Sequence, residues 1–90
     1  MTTLPKDQNI EITRGVATAN LTPGIWTGEI KPATITDALG REALEITIIL
    51  TPGSSTGVTG DVAINTVFDL NQRLQDAGEE RFSIVRYSSE

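Results

Sequence analysis

TGDVAINTVFDLNQRLQDAG, residues 59–78, is the stretch whose reading decides how this chain folds. Ala63, Val67, Leu70, Leu74 and Ala77 recur at alternating spacings of four and three. At about 100° per residue that spacing forms one apolar stripe along a helix. Ile64 and Phe68 are expected to widen the stripe on one flank, while Asn65, Asp69, Gln72, Arg73 and Asp76 mark the wet side. Both ends carry stop signals. Thr59 is suited to accept a hydrogen bond from a first-turn amide. Asp61 complements the positive end of the helix dipole. Gly78 is suited to the left-handed residue that closes a helix. Asp69 and Arg73 are placed to pair, for about 0.2–0.5 kcal/mol. A lone helix of this length is marginal in water, so its stability must come from packing against an apolar sheet face.

The segment that supplies this face is Glu42–Leu50. Leu44, Ile46, Ile48 and Leu50 alternate with Ala43, Glu45, Thr47 and Ile49, the period-two pattern of a strand with one buried side. The even side is expected to carry the helix. Before it, Gly24–Thr36 reads as an extended segment following the turn Thr22-Pro23-Gly24. Pro32 cannot donate to a ladder, so this segment is an edge strand or contains a bulge. A bulge near Pro32 would bring Trp26, Ile30, Ala33 and Ile35 to one side. Asp37-Ala38-Leu39-Gly40 is read as a four-residue hairpin loop, because that length sets Ala33 and Ile35 on the side shared by Leu44 and Ile46. A three-residue loop would set them on the opposite side.

After the helix, Arg81–Tyr87 forms a last strand, with Phe82 and Ile84 on one face and Val85 and Tyr87 on the other. Strand, helix, strand predicts a parallel pairing of 42–50 with 81–87 through a crossover. The expected class is α+β: a three- to four-stranded mixed sheet, hairpin then βαβ crossover, with one helix packed on one face. Residues 1–21 are expected to be a mobile N-terminal arm or an added edge strand, and residues 22–90 a single small domain.

The chain has 90 residues, a net charge of −5, no cysteine and no histidine. One modest core fits this length. The acidic balance argues against nucleic acid and against a membrane surface. No apolar run approaches the roughly 18 residues of a membrane span, and no charged-then-apolar leader opens the chain, so a cytoplasmic location is expected. Without cysteine or histidine there are no disulfides, thiolate nucleophiles, imidazole bases or zinc sites of the usual kind. No cofactor is expected, and a catalytic role has only carboxylates and hydroxyls to draw on.

Two stretches invite a functional reading. Gly53, Ser54, Ser55, Gly57 and Gly60 precede the helix, and a glycine-rich loop leading into a helix N-terminus can bind phosphate. The loop lacks the G-K-[ST] of a P-loop, has no lysine or arginine nearby, and is followed by Asp61, so a plain connecting loop is the simpler reading. Glu79-Glu80-Arg81 could be a carboxylate pair with a cation, but neighbouring carboxylates point apart, and a solvated helix exit is the simpler reading. Glu45 would be a buried acid of functional interest only if its sheet face were covered.

The more informative feature is the sheet's second face. Ile49, Val85 and Tyr87 are expected there without a second helix to cover them, and an apolar patch on a small domain marks an interaction surface. Trp26 is expected at its edge or in the core, and tryptophan is favoured in binding hot spots. The expected function is therefore a small non-catalytic interaction domain, binding a protein partner or a second copy of itself. The alternative is a small-molecule or anion-binding domain using loop 53–60.

Overall fold

The computed structural model describes residues 4–89. The elements run α1 (Lys6–Asn20), β1 (Trp26–Thr36), β2 (Glu42–Leu50), a 3-10 turn (Ser55–Gly57), α2 (Gly60–Asp76) and β3 (Phe82–Ser89). The class is α+β. The three-stranded mixed sheet has the order β1-β2-β3, with β1 antiparallel and β3 parallel to β2.

Two helices, not one, pack on the sheet. Within residues 1–21, expected to be a mobile arm or an added edge strand, Lys6–Asn20 form α1, and residues 1–3 lie outside the described residues. Pro5, at φ −58°, presets entry into α1. The buried positions of α1 are Asn9, Thr13, Val16 and Ala17, a helical spacing carried by small and polar side chains. Thr13 and Thr18 donate their hydroxyls, and Asn20 its amide, to the carbonyls four residues back. These polar groups are thereby satisfied on their own helix.

β2 is the floor of the core. Ile46 and Ile48 are fully buried, and Leu44 and Leu50 nearly so. Leu44 and Ile46 pack with Val16, Ile30, Leu70 and Leu74, while Ile48 and Leu50 pack with Ala17 and Leu21. Both helices therefore cover the same, even face of β2. Burying each such side chain contributes about 1.5–3 kcal/mol.

The hairpin register differs from the expected one. Thr36 pairs with Glu42, and Asp37 N donates to Arg41 O at 2.8 Å, which leaves a three-residue loop, Ala38-Leu39-Gly40. Asp37 enforces it: its Oδ1 accepts from Leu39 N and Arg41 N, both at 2.9 Å, and Gly40 takes φ +78°. Ala33 then lies opposite Glu45 and Ile35 opposite Ala43, on the outer face, while Ile30, Pro32 and Thr34 face inward. The bulge sits between Trp26 and Ile30, not at Pro32, where Gly28 adopts φ +90°. Thr27 Oγ1 stitches the bulge, donating to Ile49 O and accepting from Glu29 N, each at 3.2 Å.

α2 begins and ends as its sequence prescribes. Thr59 Oγ1 accepts from Val62 N at 3.3 Å, Gly78 takes φ +105°, and Arg73 Nε meets Asp69 Oδ1 at 3.0 Å. Its buried line is Thr66, Leu70 and Leu74. Ile64 and Phe68, expected to widen the stripe, are turned to solvent.

Candidate interaction surface

β3 is an edge strand, and its placement follows from the turn that precedes it. Glu79 and Arg81, expected at a solvated helix exit, are buried. Arg81 Nη2 meets Glu79 Oε1 at 2.9 Å, and Arg81 Nε and N both reach Oε2, at 3.0 and 3.1 Å. The pair ties distant segments together. Leu4 N donates to Glu79 Oε1 at 3.2 Å, and Arg81 Nη1 donates to Thr34 Oγ1 at 2.9 Å. Burial pushes the Glu79 carboxyl up, but the hydrogen bonds from Arg81 and Leu4, with the Arg81 charge, together hold it below its ordinary value. Each of the three guanidinium nitrogens of Arg81 thus bonds within the fold, so the pair acts as a clamp between segments.

The clamp and the parallel register with β2 fix which way β3 faces. Ser83 stands beside Leu44, Val85 beside Ile46 and Tyr87 beside Ile48, all on the helix-covered side. The expectation that Ile49, Val85 and Tyr87 share the second face is thus corrected. Val85 packs against both groups of core residues and Tyr87 against Ile48 and Leu50. Trp26, half-buried opposite Leu50, also belongs to the core. Ile49 alone of the four lies on the outer face, and it is 5% exposed. Alternation could not choose between the two faces of β3, because both carry apolar residues.

Of the loop residues Gly53, Ser54, Gly57 and Gly60, two have their amides held within the loop. Ser54 N donates to Thr51 O and Gly57 N to Ser54 O, while Thr51 Oγ1 holds both Gly24 O and Ser54 Oγ. Gly57 is pressed against Ile25, where an added Cβ would lie 3.3 Å from its Cγ2. The side chain of Ser55 lies outside the described residues. Among the described residues there is no cluster of three acidic side chains able to hold a metal, and no helix is long and apolar enough to cross a membrane.

What the structure does bring together is a strip along the free edge of β3. Asn71 of α2 reaches that edge: its Nδ2 donates to Ser83 O at 3.0 Å, and Ser83 N donates to its Oδ1 at 2.9 Å. Ser83 therefore points its main chain away from β2. The two-residue repeat of a strand makes Val85, Tyr87 and Ser89 do the same. Above this edge, on the α2 flank that carries Asn71, stand Ile64 and Phe68, 54% and 72% exposed. Below it, on the outer face, stand Phe82 and Ile84, 63% and 40% exposed. Helical spacing puts Asp61, Ile64, Val67, Phe68, Asn71 and Gln75 on one flank, and Asp61, in the first turn, is the one charged residue among them. The only charged side chain of β3, Arg86, meets Glu45 at 3.4 Å.

The opposite edge is guarded. β1 carries Pro32, the bulge at Gly28 and the Lys31–Glu29 ion pair at 3.3 Å, three devices that discourage a further strand. Sequence reasoning missed Ile64, Phe68, Phe82 and Ile84 as surface residues because hydrophobicity alone assigned them to the core.

In comparison with known proteins, no family model, no curated protein and no solved structure matches the chain. The α+β architecture and this strip are what define it.

Proposed function

We propose that the protein is a small, non-catalytic protein-interaction domain whose docking surface is the free edge of β3 with the adjoining flank of α2. The observation that supports this is the pairing of unguarded main chain at Val85 and Tyr87 with exposed Phe68 and Ile64 above and Phe82 and Ile84 below. An added strand gains affinity from main-chain hydrogen bonds and selectivity from the side chains on either side of it. Large apolar side chains on both sides of such a strand would be desolvated on docking, the condition under which they contribute most.

The test is selection of extended peptides from a random library on dilute, immobilised protein. Binders that alternate apolar residues, protect the Val85 and Tyr87 amides from exchange and lose binding to Phe68→Asp are expected. A selection yielding only peptides that protect other amides overturns the reading.

A further inference from the structure

We infer that the occupant of the β3 edge is a second copy of this chain, joined by antiparallel β3–β3 pairing about a two-fold axis at Tyr87. This rests on the docking surface proposed above and names its partner. Beyond the stretch held by Asn71, axes at Val85, Arg86, Tyr87 and Ser88 place outward-pointing main-chain groups opposite one another, and the Ser88 axis pairs only Tyr87 with Ser89 of the second copy, for about four hydrogen bonds. An axis at Val85 would use Ser83, whose N–H and C=O are already held by Asn71. An axis at Arg86 would set two like charges directly opposite, which is destabilising. An axis at Tyr87 pairs Tyr87 with Tyr87 of the second copy and Val85 with Ser89 of the second copy. It sets Arg86 against Ser88 of the second copy and leaves Ser83 to Asn71. That register offers about six main-chain hydrogen bonds, more than any of the alternatives.

The helix layer agrees with the same axis. A two-fold perpendicular to the sheet keeps both helix layers on one side, so α2 faces its copy in antiparallel fashion. Thr66 is the α2 residue that faces the Tyr87 hydroxyl. Ile64 and Phe68 straddle Thr66 in sequence, one turn apart on the flank that carries Asn71. An axis at Tyr87 therefore sets Ile64 against Phe68 of the second copy and Phe68 against its Ile64. The strand edge and the helix flank select one axis independently, and a patch complementary to itself is what an isologous dimer requires.

Sedimentation equilibrium on the full chain, from about 10 μM to 1 mM, is the first measurement. The weight-average mass is expected to rise from the 9.7 kDa of one chain toward twice that value. Phe68→Asp and Ile64→Asp should hold it at one chain while keeping the melting temperature that the wild type shows at dilutions where it too is a single chain. The axis is tested in this cysteine-free chain by oxidation. The double variant Arg86→Cys with Ser88→Cys should form a covalent dimer, because the two positions oppose each other in a non-hydrogen-bonded pair. Arg86→Cys alone should not. A mass of one chain up to the highest concentration overturns the inference, as does a dimer indifferent to Phe68→Asp or efficient cross-linking by Arg86→Cys alone. If the chain stays single while selected peptides still protect Val85 and Tyr87, the second copy falls and the docking surface stands. If both measurements fail, both fall.

Discussion

Asn71 holds Ser83 by both of its main-chain groups, at 3.0 and 2.9 Å, so that a helix side chain occupies the place of a fourth strand. The same Nδ2 also reaches Val67 O at 2.9 Å, which locks the carboxamide in its orientation. The consequence is a sheet edge closed at one end and open beyond it. The position of that closure limits which registers a docking strand can use.

Asn71→Ala should remove this closure. The loss of two hydrogen bonds to a part-buried edge is expected to cost about 1–3 kcal/mol. Urea denaturation followed by the fluorescence of Trp26, the single tryptophan, measures it. Amide exchange should accelerate at Ser83 well before it does in β2. An unchanged Ser83 amide would show that Asn71 does not guard the edge.

Glu79→Ala should destabilise the fold by about 3–5 kcal/mol, because it leaves Arg81 buried without its hydrogen-bonded counter-charge, the charge of Glu42 acting on it less strongly. Replacing both residues by apolar side chains of similar volume should restore a large part of that loss. The pair also sets an acid limit. Since the folded Glu79 carboxyl lies below its ordinary value of 4.5, its contribution is fully present above about pH 4.5. It is lost as pH falls through the lowered folded value. Melting temperature against pH should fall on the acid side in the wild type and lose that component in the double apolar variant.

Tyr87 is the single tyrosine, so its ionisation can be read directly by absorbance. Burial pushes the phenol above its ordinary value of 10.0, and the opposing pull of Thr66 is smaller. Thr66 Oγ1 donates to Val62 O at 2.7 Å and lies near the buried Tyr87 Oη without completing a well-formed hydrogen bond to it. The folded protein thus retains the proton longer than the unfolded chain, and stability should decline as pH rises above about 10. Tyr87→Phe removes this hydroxyl and should be neutral or stabilising by up to about 1 kcal/mol in the isolated chain. A tyrosinate titration with an ordinary midpoint in the folded protein would contradict this burial.

Ile46→Asp and Phe68→Asp provide a contrast. Ile46 is fully buried and its replacement should abolish the cooperative melt, since an unpaired carboxylate cannot be solvated there. Phe68 is 72% exposed, and its replacement should shift stability by no more than about 0.5 kcal/mol. A cooperative melt in Ile46→Asp, or unfolding by Phe68→Asp, would reverse the assignment of the two α2-facing sides.

Gly28→Ala tests the bulge. At φ +90° an added Cβ meets no neighbour, so the cost is conformational alone, about 1–2 kcal/mol. Denaturant midpoints should show it without a change in slope.

By itself, the sequence determined the elements whose signals are local. β2 was legible because Leu44, Ile46, Ile48 and Leu50 alternate without interruption, and α2 because Thr59 and Gly78 mark its ends. The floor on which the helices rest followed from these two. α1 was not legible, because its buried line of Asn9, Thr13, Val16 and Ala17 has the helical period without the hydrophobicity that usually reveals it. Of its two polar members, Thr13 is made acceptable inside by its bond back to Asn9 O at 2.7 Å, while Asn9 Oδ1 is buried without a hydrogen-bond partner.

Tertiary structure alone decided the faces. The hairpin turned on the Asp37 side chain closing a three-residue loop, and one residue of register carried Ala33 and Ile35 outward. In β3, Phe82 and Ile84 compete with Val85 and Tyr87 for the core on nearly equal terms. The choice was made by the buried Glu79–Arg81 clamp and by Asn71, contacts between segments far apart in the chain. Where two faces of a strand are equally apolar, burial energy cannot distinguish them, and the long-range polar contacts that accompany packing determine which residues remain outside to form a surface.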